Sequence, residues 1–209
     1  MGGMESSRRY AGVAAADRRT ERRQRLIDAG FDLVAEQGLA GMTVTQVCAT
    51  AGLTERYFYE SFRRLDDLRA AMYDALITEL RGTGLEAIDR AEPDLYAKCR
   101  AATDALCHTL TTATGRARLY FEANGSPALL ERRDESIIEF AGLLAEQMIR
   151  YGDVAEGHPR LRLQTVMIVG GVAEAVRQWL AGGLAVEPAE LIDTTAALCV
   201  QIAGSLRIA

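Results

Sequence analysis

The stretch MTVTQVCATAGLTERYFYESF, residues 42–62, holds two short apolar periodicities separated by a glycine. Thr43 and Gln46 stand at the N-cap and N3 spacing of a capping box, and Val44, Val47, Cys48 and Ala51 follow on one side of about two helical turns. Gly52 can take the left-handed conformation that ends such a helix, Leu53 turns inward, and Thr54 offers its hydroxyl as N-cap to the next. The pattern predicts a helix, a three-residue turn and a second helix.

On that second helix Phe58 and Phe62 are four residues apart and form the buried stripe with Leu53. Tyr57 and Tyr59 lie about 100° to either side and flank the exposed face. One of the two is expected to lie partly over the first helix of the domain. Thr54, Glu55, Arg56 and Ser61 share the outer surface. Hydroxyls, a guanidinium and amphipathic rings in one place suit phosphate oxygens, sugars and base edges in a major groove. The expected partner is double-stranded DNA. Glu60 is four residues from both Arg56 and Arg64, a spacing that predicts a ladder of ion pairs. Glu55 reads as solvated surface or as an acceptor for a cytosine amino group.

Upstream, a helix is expected from Arg18 to Gln37, with Leu26, Ile27, Gly30, Leu33, Val34 and Gln37 on one face and Gly38 as its stop. Gly30 inside it reads as a close helix-helix contact. The first 25 residues carry Arg8, Arg9, Arg18, Arg19, Arg22, Arg23 and Arg25 against Glu5, Asp17 and Glu21. Such an arm can track phosphates or enter a minor groove, or be a solvated tail. Charge is uneven: residues 1–65 are net +2 and residues 66–209 net −7, giving −5 for the 209 residues. The expected division is therefore a DNA-binding domain over 1–65 and a second domain over 66–209.

An apolar share of 49%, only four prolines and apolar spacings of three and four rather than two predict an all-α chain. The charge-free runs of the last two apolar segments, inside Arg162–Glu174 and Asp193–Arg207, are short of the roughly 18 residues that span a bilayer. The polar N-terminus lacks a secretory apolar segment, so a cytoplasmic location is expected. Cys48, Cys99, Cys107 and Cys199 lack metal-ligand spacing and read as reduced, buried thiols. No catalytic motif, metal site or cofactor-binding glycine pattern is present. Asp104, His108 and Glu122 would be the centre of a helical enzyme, a reading the sequence does not favour.

From Arg22 to Leu68, RLIDAGFDLVAEQG, then residues 42–62, then LDDL opening a further helix, the chain resembles the TetR family of bacterial transcriptional regulators. The resemblance covers about a quarter of the chain. It implies a homodimer whose paired third helices enter successive major grooves of a near-palindromic operator and leave it when a small-molecule effector binds the C-terminal domain. It places Thr43, Thr45 and Thr54 near phosphates and Tyr59 at the usual phosphate-contacting tyrosine. Glu55, Arg56, Tyr57 and Ser61 are set to read bases or backbone. Leu65 stands where the family has a phosphate-binding lysine, so the resemblance gives that role to Arg63 or Arg64. Ser61 replaces a common histidine. The substituted lysine also admits an alternative, a dimeric ligand-binding or adaptor protein of the same fold without operator binding.

The fourth helix should present Leu68, Met72, Ala75, Leu76 and Leu80, followed by helices over residues 93–114, 116–123, 127–151, 159–181 and 188–206. The last two are broadly apolar. Their expected role is a four-helix interface between two copies, using Val169, Val176, Leu191, Thr195, Leu198 and Ile202, with Gly170 and Gly171 permitting close approach. Tyr96, His108, Tyr120, Phe121, Glu122, Phe140 and Met148 lie on the middle helices and are the candidates for a mostly apolar effector pocket. His108 four residues after Asp104 reads as an ordinary helix contact.

Overall fold

The computed structural model describes the backbone of residues 3–207 and the side chains of residues 17–207. Among the described residues there are helices and no strand. The helices are α1 (Gly3–Gln37), α2 (Val44–Ala51), α3 (Glu55–Ser61), α4 (Leu65–Arg90), α5 (Leu95–Thr112), α6 (Thr114–Glu122), α7 (Pro127–Tyr151), α8 (Leu161–Leu180) and α9 (Pro188–Arg207), with a 3-10 turn at Ala123–Gly125. Two compact units divide between Met72 and Tyr73, within α4 and seven residues beyond the expected 65/66.

In the first unit α1, α2 and α3 pack mutually. Their apolar stripes meet in a core that buries Leu26, Ile27, Val34, Val47, Phe58 and Phe62 together with Leu68 and Met72 from the start of α4. Gly30 is the close contact that its position predicts: a Cβ there would stand 2.5 Å from Met72 Sδ. The α2 N-terminus carries the full capping box, with the Gln46 amide N–H donating to Thr43 Oγ1 and the Thr43 N–H donating to Gln46 Oε1. At its other end Gly52 sits at φ +62°. The Gly52 N–H donates to the Ala49 carbonyl and the Leu53 N–H to that of Cys48, the paired bonds of a Schellman turn. Asp67 takes both the Arg63 and Arg64 N–H groups on one carboxylate oxygen and so caps α4.

The second unit holds the rest of α4 and α5 to α9. The α5 helix lies along α9, α7 along α8, and α6 contacts α5 and α8. Leu95, Cys99, Met148, Leu161, Ile168, Ala196, Cys199 and Ala203 form its buried cluster. Lys98, itself buried, donates from Nζ to the Ile88 and Ala91 carbonyls at 2.7 and 2.8 Å, placing a cation at the C-terminal end of α4, where the helix dipole favours it.

Two expectations change here. The first helix begins at Gly3 rather than Arg18. The supposed intersubunit face of the last two helices is largely claimed within one copy: Val176, Leu191 and Thr195 are buried, Val169 lines a cavity, and Ile202 packs partly against the buried cluster. The apolar stripe of α9 has a partner in α5, which periodicity alone could not identify. Of the six expected interface residues only Leu198 is classed as exposed.

Candidate functional site

Helix α3 presents its two faces as its spacing requires. Phe58 and Phe62 are buried with ring centroids 5.7 Å apart, whereas Tyr59 is 58% exposed and touches only the edge of the Phe58 ring. Tyr57 is half-buried beneath Arg22, whose guanidinium lies 4.6 Å from the ring centroid. It is the tyrosine that lies against α1. The Arg56 side chain is 83% exposed, and Ser61 is half-buried at the end of the helix. Thr54 holds the N-cap position, but its hydroxyl makes no capping hydrogen bond, contrary to the expected role.

The acidic residues of this surface have structural partners. Glu55 is not simply solvated: it accepts from Thr45 Oγ1 at 2.8 Å and ties α3 to α2. Glu60 accepts from Arg56 Nε at 3.1 Å and reaches Arg22 at 4.0 Å. The expected second rung is absent, because Arg64 turns to Asp67 at 3.7 Å. Arg63 and Arg64 are both exposed.

The arginines of the N-terminal segment do other work than a free arm would. Arg19 donates to the Glu60 carbonyl at 2.9 Å, Arg25 to the Ala51 carbonyl at 2.6 Å, and Arg23 covers the Phe62 ring at 4.9 Å. With Arg22 they clamp the α2–turn–α3 unit onto α1. Their recurrence at three- and four-residue intervals, in line with the Leu26 stripe, is the signal for this role that net charge hides. The side chains of Arg8 and Arg9 lie outside the described residues.

The second unit holds a cavity of about 180 Å³ among α4, α5, α6, α7, α8 and α9. Of the expected pocket residues, Tyr120 and Phe140 line it. Met148 is wholly buried in the neighbouring core, Glu122 pairs with Arg118, Phe121 lies under Arg177, His108 is exposed, and Tyr96 reaches Asp193 across the surface. Tyr73, Thr103, Arg133, Ser136 and Gln147 are lining residues not anticipated. Arg133, Ser136, Phe140 and Gln147 recur at three- and four-residue spacing on α7, a polar thread within an apolar face that could have marked them.

No carboxylate is among the lining residues. Lys98 is committed to carbonyls, and Arg177 is held by Glu174, whose carboxyl the guanidinium draws down to about 2. Burial pushes the Tyr120 phenol well above its ordinary value, so it remains a neutral hydrogen-bonding group. The Tyr73 hydroxyl and Ser136 Oγ are 3.5 Å apart. Among the described residues no cluster of three His, Cys, Asp or Glu side chains could hold a metal, and no helix is long and apolar enough to cross a membrane.

Solved structures match this arrangement over nearly the whole chain. The fatty acid degradation regulator FadR from Bacillus halodurans is 18% identical with a TM-score of 0.71, covering 86% of this chain and 94% of its own. A TetR-like transcriptional regulator from Rhodococcus sp. RHA1 is 18% identical at 0.66, covering 88% and 96%. The multidrug binding protein EbrR, complexed with imidazole, is 22% identical at 0.57, covering 85% and 89%. The fold is TetR-like. No family sequence model and no curated protein matches the chain. The TetR-like fold is thus carried by geometry at identities where little sequence is shared.

Proposed function

We propose that the chain is a ligand-responsive, sequence-specific DNA-binding regulator of transcription. It acts in the cytoplasm as a homodimer that represses from a near-palindromic operator and leaves it when a small molecule occupies the cavity. The carrying observation is the outer surface of α3, where Tyr59, Arg56 and Thr54 stand exposed on a short helix fixed by Phe58 and Phe62 beneath. Arg56 is long enough and free enough to read a base edge, with Glu60 holding it in line. Tyr59, Thr43, Thr54 and the exposed Arg63 and Arg64 serve phosphates, the two arginines in place of the lysine absent at Leu65. Thr45 and Glu55 orient the helix.

A homodimer is favoured by the apolar surface that one copy leaves outward. Leu163 and Met167 on α8 are 61% and 67% exposed, and Leu198 and Val200 on α9 are exposed as well. Gly170 and Gly171 have open space where a Cβ would stand, so a second backbone can approach closely. The cavity suits a mostly apolar effector, neutral or anionic, with a polar end toward Tyr120 and Arg133. The names of FadR and EbrR, one a regulator of fatty acid degradation and the other a multidrug binder, agree with an effector of this kind. Coupling of about 1–3 kcal/mol between cavity and DNA would change occupancy roughly 5- to 150-fold.

Selection of bound fragments from random DNA tests this reading. Enrichment of one inverted repeat, released by amphipathic small molecules, is the expected result. Retention of no sequence above background would instead support the adaptor alternative.

A further inference from the structure

All four cysteines are free and buried, but two of them are placed together. Cys99 comes from α5 and Cys199 from α9, helices that pack side by side. Both belong to the same buried cluster, and both line the cavity. Their thiols are near enough for each to shift the other's ionisation. Cys48 lies in the other unit, and Cys107 does not line the cavity.

We propose that Cys99 and Cys199 are a dithiol oxidation site in the cavity wall, converted to a disulfide by lipophilic organic hydroperoxides. At 6% and 2% exposure the pair is almost wholly covered, and it faces a mostly apolar cavity that admits an oil-soluble oxidant more readily than an aqueous one. The neighbouring Cys199 and burial together hold the Cys99 thiol above its ordinary value, so the pair reacts as a unit and either sulfur can be attacked first. Cys107 is pushed up to about 11, chiefly by burial, and is the inert comparison.

One sulfur of the pair attacks the terminal oxygen of the hydroperoxide. A sulfur–oxygen bond forms, the oxygen–oxygen bond breaks, and the alcohol leaves with that thiol's proton. The other sulfur then attacks the resulting sulfenic acid. The disulfide forms, the sulfur–oxygen bond breaks, and water leaves with the second thiol's proton. Two thiols lose two electrons, and the hydroperoxide is reduced to alcohol and water. The inference deepens the effector reading of the same cavity. Its chemistry is measured without DNA, so it stands or falls separately from operator binding.

The test exposes the reduced full chain to cumene hydroperoxide or, at equal concentration, to hydrogen peroxide. Alkylation of the unfolded product and peptide mapping follow. The expected product has lost two of its four alkylatable thiols to a Cys99–Cys199 link, sooner with cumene hydroperoxide, while Cys48 and Cys107 remain reduced. Cys99→Ala and Cys199→Ala should each abolish the link and leave on the remaining thiol a sulfenic acid that dimedone traps. Wild-type mapping decides the matter if either variant fails to fold. Four alkylatable thiols after exposure, oxidation first at Cys48 or Cys107, or an equal rate with hydrogen peroxide would overturn the proposal.

Discussion

Tyr57 and Tyr59 are two residues apart and have different surroundings. One ring is half-covered by the Arg22 guanidinium and the other is 58% exposed, because the buried direction of α3 is fixed by Phe58 between them. Tyr59→Ala should leave the fold unchanged and weaken binding to all DNA sequences alike. Arg56→Ala should relax preference at one base pair by about 1–3 kcal/mol. Titration of both variants against the selected operator and single-base variants checks this, and affinities equal to wild type would remove α3 from the reading surface. At this scale the sequence was informative wherever the neighbour is local. The Thr43–Gln46 box and the inward pair Phe58 and Phe62 follow from spacing. Partners distant along the chain do not: Thr45 with Glu55, Arg22 with Glu60, and the lining role of Arg133 are set by how helices pack.

Among the elements, α7 was legible from Pro127 to Tyr151, and α9 from its starting proline to within a residue of its end, since proline starts and apolar stripes are local signals. The partner of each stripe was not legible. The α9 face matched a second copy as well as it matched α5, and only tertiary packing separates the two. Gly52 carries the sharpest element-level requirement. Gly52→Ala puts a Cβ at φ +62° and 3.3 Å from Arg25 Nη2, so it should lower stability by about 1–2 kcal/mol in denaturant unfolding. Lys98→Met keeps the packed stem but leaves the Ile88 and Ala91 carbonyls without their donor. A loss of about 1–3 kcal/mol is expected by the same measurement.

For the molecule as a whole, all-α architecture was readable from composition and periodicity, whereas the change in charge at residue 65 does not coincide with the division between Met72 and Tyr73. The cavity was not readable, because such a space is a property of several helices at once. Self-association belongs to this scale. Met167→Asp on the outward stripe of α8 should weaken it by at least about 10-fold, read by analytical ultracentrifugation, with helicity retained. Unaltered sedimentation would move the interface elsewhere. The arginines of α1 have a further consequence. Arg19, Arg22, Arg23 and Arg25 grip the seven-residue α3 and the turn before it at four points, leaving that short rod little slack. A signal that disengages it from a duplex would have to swing the whole grip as one block, so amide exchange across this block should stay unaltered even as DNA is let go.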